Sequence, residues 1–386
     1  MIKMNNCLCC EGKISQVLDW GNMSLANNYN NPNKYPLKLN VCEDCHHLQL
    51  DEAVEPEILF KDYPYFSGTS QTSLTFFKEF AENTLRYYPT AKNVLDIASN
   101  DGSQLDAFKT LGLHTYGVDP AVNLQSVAQA KGHDIVCGMF ETDYVSEVNE
   151  DEKIDIITAQ NVVAHTSTPY KFLVKCKELM HNESHLFIAT SQANMVLGSE
   201  FDTVYHEHIS YFNTTSMRKL VERAGLILTD VFTNPIHGTS YIFVIKKVNN
   251  NPVDLRQKLE LENGLQNTET YKSWVKLSRE KALKTKDLID SYKTKGYKIV
   301  GCGAAAKGIT FLNVTKTQID VLVDTTPAKW YNRVNDIQIL PFESIRGLKD
   351  EKVLFVILAW NFEKEITSNI RKFRDNENDI FITTNQ

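Results

Sequence analysis

One strand–turn–helix stretch near residue 100 constrains the fold of this chain more than any other feature. Residues 94–97 form a short, mostly apolar run that stops at the small and turn-forming residues 98–102. Apolar residues then recur at helical spacing from Leu105 to Leu111, which predicts a strand, a tight turn and a helix. The next predicted strand, residues 114–118, ends at Asp119. Since the turn and this acid fall at the carboxyl ends of parallel strands, they predict a nucleotide-type ligand site.

The chemistry of this turn narrows the class of ligand. It has neither the Gly-x-Gly-x-x-Gly pattern nor the Gly-Lys-Ser/Thr of a phosphate-binding loop. Its carboxylates, Asp96 and Asp101, suit a ligand that carries an amino group and no phosphate. S-adenosylmethionine is the common ligand of that kind. The alternative is an ordinary strand–turn–helix with an Asn-Asp-Gly cap.

Length and charge exclude several broad classes of protein. A chain of 386 residues with 42% hydrophobic content is long enough for two or three domains with buried cores. A net charge of −7 argues against nucleic-acid binding, whose affinity depends on neutralising phosphates. There is no apolar run of membrane-spanning length, and the first residues lack the apolar core of a signal peptide. We therefore expect a cytoplasmic enzyme that interacts with neither nucleic acid nor membrane.

Two Cys-x-x-Cys pairs near the N-terminus predict a structural zinc site. Each pair supplies two thiolates from one tight turn, and four thiolates complete a tetrahedral site with no open position. The predicted ligands are Cys7, Cys10, Cys42 and Cys45. Cys9 is an alternative to Cys10, and the adjacent His46 and His47 are expected to be bystanders. The alternative is a set of unrelated buried cysteines.

The segment from about residue 74 to residue 247 alternates strands with helices, which predicts a mostly parallel sheet covered on both faces. In a methyltransferase-like fold, the residues after the third strand, here Met139 and Phe140, flank an adenine ring. The loop before this domain is rich in hydroxyl and aromatic groups. Tyr63, Tyr65 and Ser67 are placed to fold over a ligand, or else belong to a plain linker.

Two loops of this domain carry reactive side chains, at residues 201–212 and 235–240. The first holds two histidines, a glutamate and two tyrosines between Tyr205 and Tyr211. His206 and His208 would share a face on a strand and could bind a metal, but the spacing is not the zinc-protease pattern. Imidazole beside a carboxylate and phenols favours proton transfer. A plain hydrogen-bonded loop is the remaining alternative.

The C-terminal third contains a second nucleotide-type turn. A strand ends in Gly301-Cys-Gly303, and a helix begins at the following Ala-Ala-Ala-Lys-Gly segment. Glycines allow close approach of the backbone and Lys307 supplies charge, which suits a diphosphate. The next strand ends at Asp324. The alternative is an α/β domain that only supports the first one.

Together these motifs, in this order, resemble the S-adenosylmethionine-dependent sugar C-methyltransferases, which methylate C-3 of nucleotide-linked 4-keto-deoxysugars. The most specific motifs are Tyr-His-Glu-His at residues 205–208 and Ala-Lys-Gly at residues 306–308. Where that family usually has Ala-Pro-Ala-Lys-Gly, this chain has Ala-Ala-Ala-Lys-Gly at residues 304–308. It also has Trp-Tyr-Asn-Arg-Val-Asn at residues 330–335 in place of a Gly- and Pro-containing turn.

The resemblance implies a role for each candidate residue. His208 matches the proton-abstracting base, with Glu207, Tyr205 and Tyr65 assisting it. The four cysteines would hold structural zinc. The cofactor-site residues would be Asp96, Ser99, Asn100, Asp101, Gly102, Asp119, Met139, Phe140 and Asn161. The residues facing the sugar nucleotide would be Tyr63, His165, His206, His237, Gly238, Ser240, Lys307 and Asp324.

The predicted architecture is α/β, with a central Rossmann-like methyltransferase domain and a C-terminal Rossmann-like domain. The predicted segments are a zinc-binding domain (1–73), a methyltransferase domain (74–248), a helical connector (249–296) and a nucleotide-sugar-binding domain (297–386). The expected protein is a monomer or homodimer. Alternatives are a sugar O- or N-methyltransferase, a non-catalytic sugar-nucleotide-binding protein, or a nicotinamide-dependent enzyme built on Gly301-Cys-Gly303.

Overall fold

The structure is a computed structural model, and it describes residues 1–60, 66–144, 154–190, 193–234, 240–248, 262 and 264–385. The chain forms two compact units that are discontinuous in sequence. The first unit comprises residues 1–16, 39–194 and 207–268, and the second comprises residues 17–38, 195–206 and 269–386. The four-segment division predicted from the sequence stays a proposal. Among the described helices, none combines the length and hydropathy that crossing a membrane requires.

The strands are defined as follows in chain order. The first thirteen are β1 (Ile2–Lys3), β2 (Ile14–Ser24), β3 (Lys34–Cys42), β4 (Leu48–Leu50), β5 (Glu52–Ala53), β6 (Asn93–Ile97), β7 (His114–Asp119), β8 (Asp134–Cys137), β9 (Ile154–Gln160), β10 (Met180–Thr190), β11 (Ser210–Tyr211), β12 (Ile227–Asn234) and β13 (Ser240–Lys246). The remaining ones are β14 (Lys298–Cys302), β15 (Val321–Asp324), β16 (Arg333–Val334), β17 (Ile337–Pro341), β18 (Val353–Ile357) and β19 (Ile380–Thr383).

The helices are also numbered in chain order. They are α1 (Pro56–Phe60), α2 (Gln71–Tyr87), α3 (Ser103–Thr110), α4 (Val122–Ala130), α5 (Pro169–Leu179), α6 (Thr214–Arg223), α7 (Thr268–Thr294), α8 (Ala306–Thr315) and α9 (Glu363–Arg371). A short 3-10 turn, Val163–His165, follows β9 and matters for the site described below.

The main sheet of the first unit has the strand order β12-β13-β10-β9-β6-β7-β8. The pairs among β10, β9, β6, β7 and β8 are parallel, whereas β13 runs antiparallel to both β10 and β12. The mostly parallel sheet predicted from the sequence is therefore confirmed. Since β6 leads to β7 on one side and the chain later returns as β9 on the other, the strand order reverses at β6. Ligands of open α/β sheets bind at the carboxyl ends of strands around such a reversal.

Alternation along β6 explains how this sheet is covered on both faces. Val94 belongs to an apolar cluster with Phe80 of α2 and Phe108 of α3. Its neighbour Leu95 belongs to a different cluster, together with Phe172 of α5. Successive side chains of a strand point to opposite faces, so one apolar run supplies both cores. Each such buried side chain contributes roughly 1.5–3 kcal/mol.

A second sheet, of order β11-β4-β3-β2, includes the N-terminal zinc-binding segment. The second cysteine pair lies at the end of β3 and in the turn after it, and the amide of Cys42, the last residue of β3, donates to the His47 carbonyl across that turn at 2.9 Å. β11, which follows the predicted proton-transfer residues, pairs antiparallel with β4. This pairing links the zinc-binding segment to the later part of the first unit that begins at Glu207.

The second unit contains a sheet of order β16-β17-β15-β14-β18-β19. All of its pairs are parallel except β16 with β17. The C-terminal Rossmann-like α/β domain predicted from the sequence is thus confirmed as a fold. Helix α7 belongs to this unit, because Trp274 is 1% exposed and its indole donates to the Glu200 carbonyl at 2.6 Å. Most of the connector before α7 lies outside the described residues.

Candidate active site

The turn after β6 has a backbone shape that few sequences adopt. Ala98, Asn100 and Gly102 all have positive φ, at 57°, 52° and 76°. Asparagine and glycine tolerate this region best, whereas it strains alanine. A Cβ on Gly102 would come within 2.8 Å of the His133 ring, so this position requires glycine for space as well as for conformation. Gly102 is the N-cap residue of α3, so the turn presents the helix N-terminus at the strand reversal.

Carboxylates hold the turn together through backbone amides. Asp119 accepts hydrogen bonds from the amides of Asn100 at 2.9 Å and Ala121 at 2.8 Å. Burial raises the pKa of Asp119, and these amide bonds oppose the rise. Asp101 accepts from the Ser103 amide at 3.1 Å and from the Gly68 amide at 2.9 Å. The acids predicted for the cofactor site therefore lie together at this edge and also shape it.

The segment before α2 lies on this turn. The Gly68 amide reaches Asp101, and the Ser67 amide donates to the side-chain oxygen of Asn100 at 2.9 Å. These contacts place the backbone at Ser67 against the turn, and the expectation that Ser67 folds over a ligand held by the turn stays a prediction. Tyr63 and Tyr65, which precede it, lie outside the described residues.

Asp96 lies beneath the turn in a buried polar network. Its Oδ1 accepts from Thr158 Oγ1 at 2.7 Å and from Gln104 Nε2 at 2.9 Å, and Gln160 donates to Gln104. Burial raises the pKa of Asp96 to about 7, while the Thr158 bond lowers it and the charge of Asp119 raises it further. Sequence reasoning missed Gln104 and Thr158. Gln104 could have been identified from the sequence, because it is the second residue of the helix that follows the turn.

Ser99 supports the presence of a ligand at this edge. The residue is 3% exposed, and its hydroxyl has no hydrogen-bond partner among the residues that the structure describes. Buried hydroxyls are costly when they are left without a partner. A polar ligand that reaches the turn would satisfy this group. The acids, the helix N-terminus and this hydroxyl together fit S-adenosylmethionine.

The other predicted cofactor residues lie at the ends of β8 and β9. The Met139 amide donates to Asp143 at 2.7 Å, which fixes the chain after β8. Phe140 is 4% exposed and packs against Phe172 at 5.0 Å, so its ring belongs to the core. Asn161 directly follows β9 and has a positive φ of 55°. These positions surround the same sheet edge.

The predicted base, His208, lies in the first unit beside His165. His208 is 7% exposed and His165 is half-buried, and their ring centroids are 4.9 Å apart with the planes at 68°. The Ile209 amide donates to the Ala164 carbonyl at 2.7 Å, which ties the loop to the 3-10 turn after β9. Because β9 pairs with β6, this turn lies at the carboxyl edge that carries the residues predicted to bind the cofactor. Burial lowers the pKa of His165 to about 4, although a hydrogen bond to the backbone of Glu207 raises it.

The residues that precede His208 in the sequence are assigned to different units. Glu207 is 2% exposed and belongs to the first unit. Tyr205 and His206 belong to the second, where Tyr205 packs against the apolar core. His206 Nε2 lies 3.1 Å from the carbonyl oxygen of Tyr35, and burial lowers the pKa of His206 to about 4. Residues 206–208 form no strand, so the shared face considered for a metal site is absent from this described loop.

The second unit has a charged cluster at its own strand–turn–helix. Lys307 Nζ lies 3.8 Å from Asp202 Oδ1 and 4.4 Å from the ring centre of Trp360. The Trp360 indole donates to the other oxygen of Asp202 at 2.5 Å. Within the described chain, Nζ and Oδ1 have no hydrogen-bond partner. Sequence reasoning missed Asp202 and Trp360, although Asp202 is part of the loop it singled out.

Two further residues that were predicted to face the substrate, Asp324 and Ser240, contact other residues of the protein. Asp324 is 4% exposed and pairs with Lys329 at 3.2 Å, while its other oxygen accepts from the Thr326 amide at 2.8 Å. Ser240 begins β13, lies opposite Asn234 and is 2% exposed. His237 and Gly238 lie outside the described residues.

The predicted zinc ligands converge. Their four sulfur atoms all lie within 4.8 Å of one another, with Cys7 3.5 Å from Cys45 and Cys10 3.4 Å from Cys42. This resolves the ambiguity of Cys9, whose amide instead donates to the Cys7 sulfur at 3.4 Å. Four convergent thiols with amide donors fit a structural zinc ion. It is the one group of possible metal ligands found in the described chain.

Three segments of the chain each match a protein-family model. Residues 7–60 match the model described as "Putative zinc binding domain", and residues 74–231 match a methyltransferase domain. Residues 235–384 match the C-methyltransferase C-terminal domain.

Individual proteins give matches of different extent. The C-methyltransferase NovU of Streptomyces niveus is 25% identical over 360 residues, which cover 89% of this chain and 84% of that protein. A ubiquinone biosynthesis O-methyltransferase of Glaesserella parasuis is 30% identical over 123 residues, covering 28% of this chain and 52% of that protein. A solved magnesium protoporphyrin IX methyltransferase of Synechocystis with bound SAM is 13% identical, with a TM-score of 0.35, and covers 46% of this chain and 79% of that one.

Proposed function

We propose that the chain, which is similar to a C-methyltransferase over most of its length and matches methyltransferase family models, transfers the methyl group of S-adenosylmethionine to C-3 of a nucleotide-linked 4-keto-deoxysugar. The observation that supports this proposal best is the placement of His208. The loop that carries it is hydrogen-bonded to the turn after β9, at the sheet edge where the predicted cofactor residues lie. A buried imidazole at that edge suits the removal of a proton from carbon.

The reaction needs a carbon nucleophile, which the sugar provides only after deprotonation. The C-3 proton lies next to the C-4 ketone, so its removal gives an enolate. His208 takes this proton in our proposal, and Glu207 orients the imidazole. General-base help of this kind contributes about 10²–10⁴-fold. When bound, S-adenosylmethionine would supply a sulfonium methyl group, so that the new bond to C-3 forms as the methyl–sulfur bond breaks and S-adenosylhomocysteine is released.

A phenol is proposed to donate a hydrogen bond to the C-4 oxygen, on which negative charge develops as the enolate forms. Tyr205 and Tyr65 are the candidates, and such a donor contributes roughly 10²–10³-fold. His165 is held neutral by burial, so it can contact the substrate or the base without adding a second positive charge. Lys307, whose ammonium group has no hydrogen-bond partner among the described residues, is proposed to bind the diphosphate.

The test uses the purified protein, S-adenosylmethionine and dTDP-4-keto-6-deoxyglucose. Mass spectrometry would follow methyl gain, and carbon NMR of the product would locate the methyl group. A new methyl on C-3 supports the proposal. A methyl on oxygen or nitrogen would instead establish the alternative sugar methyltransferase. Tight binding of the sugar nucleotide without turnover, across a panel of 4-keto sugars, would favour the non-catalytic binding protein.

A further inference from the structure

The zinc-binding segment and the loop that carries His208 belong to one sheet. Ser210 lies opposite Gln49, and Tyr211 lies opposite Leu48 in the antiparallel pair of β11 and β4. The Leu50 amide also donates to the Ile209 carbonyl at 2.8 Å. Since Ile209 directly follows His208, the position of β4 determines where the backbone of the base can lie.

The cysteine pairs fix β4 in turn. Cys42 is the last residue of β3, and Cys45 lies in the turn that leads into β4. The Gln49 side chain reaches the first cysteine pair, where its Oε1 accepts from the Leu8 amide at 2.9 Å. A metal ion on the four thiolates would close both turns at once, and it would thereby hold β4, which follows the second turn and reaches the first one through Gln49.

One buried side-chain pair, formed by the residue before β4 and the first residue of β11, connects the zinc-binding segment with the strand that follows the loop. His47 Nε2 lies 3.1 Å from Ser210 Oγ, and both residues are 0% exposed. The His47 ring also packs on Phe212, with centroids 4.8 Å apart, and Asn213 Nδ2 donates to the His46 carbonyl at 3.0 Å. A slip of one residue along a strand would turn each side chain to the other face, so these contacts fix the register.

We propose that the zinc-binding segment positions the proton-transfer loop, with His47 and Ser210 as positioning residues for His208. This inference rests on the proposed function for the role of His208 as base. The segment thus does more than stabilise its own fold. A displacement of about 1 Å at a reacting group can cost about 100-fold in rate, so a modest change at the His47–Ser210 contact is expected to be measurable.

The test compares Ser210→Ala with a matched control, Ser184→Ala. Ser184 is also fully buried in the first unit, where its hydroxyl donates to the Ile154 carbonyl at 2.6 Å and accepts from the His181 amide at 2.8 Å. It lies toward the amino end of β10, away from the edge with the loop. Both variants lose buried hydrogen bonds, but only Ser210→Ala releases His47.

For Ser210→Ala we expect one bound zinc, unchanged affinity for S-adenosylmethionine, and kcat lowered at least about tenfold with KM little changed. Ser184→Ala should keep the wild-type kcat, and Ser210→Thr, which retains the hydroxyl, should recover most of it. A second readout needs no substrate: the imidazole NMR signals of His208, assigned with His208→Asn, should move in Ser210→Ala and stay in Ser184→Ala.

The outcomes separate this inference from the proposed function. Wild-type kcat and unmoved His208 signals in Ser210→Ala would overturn the inference. If the wild-type protein methylates no sugar at all, the proposed function fails, but the NMR comparison still decides whether the pair positions His208. Should Ser210→Ala not fold, His47→Asn breaks the same contact and is judged by the same readouts.

Discussion

The rings of His165 and His208 meet edge to face, with centroids 4.9 Å apart. One residue follows β9 of the parallel sheet, and the other precedes β11, which pairs with the zinc-binding segment. Two parts of the chain that are distant in sequence therefore bring a neutral imidazole against the proposed base. This contact, rather than either motif alone, defines the proposed proton-transfer site.

Burial of His165 predicts a dependence of stability on pH. Its pKa is about 4 in the folded protein, against 6.5 for an ordinary histidine. As the pH falls, this histidine is therefore protonated in the unfolded chain before it is protonated in the folded protein. The stabilisation that results from keeping His165 neutral is complete above about pH 6.5 and is lost as the pH falls toward about 4. At about 1.4 kcal/mol per pKa unit, the loss reaches about 3 kcal/mol.

Urea unfolding at about pH 7.5 and about pH 5 checks this expectation. His165→Asn should lose less stability between the two values than the wild-type protein. His185→Asn should show the same reduction, because burial also lowers the pKa of His185 to about 4. An unchanged pH dependence in both variants would refute the assignment of burial as the cause.

The turn at Gly102 predicts a difference between two Gly→Ala variants. Gly102 and Gly112 both have positive φ, at 76° and 88°, but only at Gly102 would a Cβ meet another residue. Gly112→Ala should cost about 1–2 kcal/mol for the backbone conformation alone. Gly102→Ala should cost more and should weaken binding of S-adenosylmethionine, measured by calorimetry. Equal effects of the two changes on stability and cofactor affinity would contradict this account.

The zinc site predicts that Cys42→Ser and Cys9→Ala behave differently. Both cysteines are fully buried, but only Cys42 is among the four converging sulfur atoms. Cys42→Ser should lose zinc and destabilise the N-terminal segment, whereas Cys9→Ala should retain one zinc per chain. Metal analysis and thermal unfolding would measure both. Full zinc content in Cys42→Ser would be incompatible with the proposed ligand set.

Lys307 predicts a selective loss of affinity for the sugar nucleotide. A hydrogen bond to a charged group contributes about 1.5–3 kcal/mol, so Lys307→Met should raise the KM for the sugar nucleotide about 10- to 100-fold. The KM for S-adenosylmethionine should not change. Lys349→Met, at an exposed position of the same unit, is the control. A wild-type KM in Lys307→Met would remove this residue from the proposed diphosphate site.

Much of this arrangement could be predicted from the sequence because its signals are local. The strands ending at Ile97 and Asp119 are marked by apolar runs that stop at turn residues, and the Cys-x-x-Cys spacing identified the four converging cysteines. The contact of His47 with Ser210 joins residues 163 positions apart, and no local pattern marks it. Asp324 also has a local signal, as an acid at the end of a strand, but no local pattern indicated its ion pair with Lys329.

The most direct test of the proposed chemistry is deuterium exchange at C-3 of dTDP-4-keto-6-deoxyglucose in deuterated water, without a methyl donor. The wild-type protein is compared with His208→Asn, and binding of S-adenosylmethionine to each protein is measured in parallel. We predict rapid exchange with the wild-type protein and a loss of about 10²–10⁴-fold in the variant, with cofactor binding retained. Exchange at the wild-type rate in His208→Asn would contradict the assignment of His208 as the base.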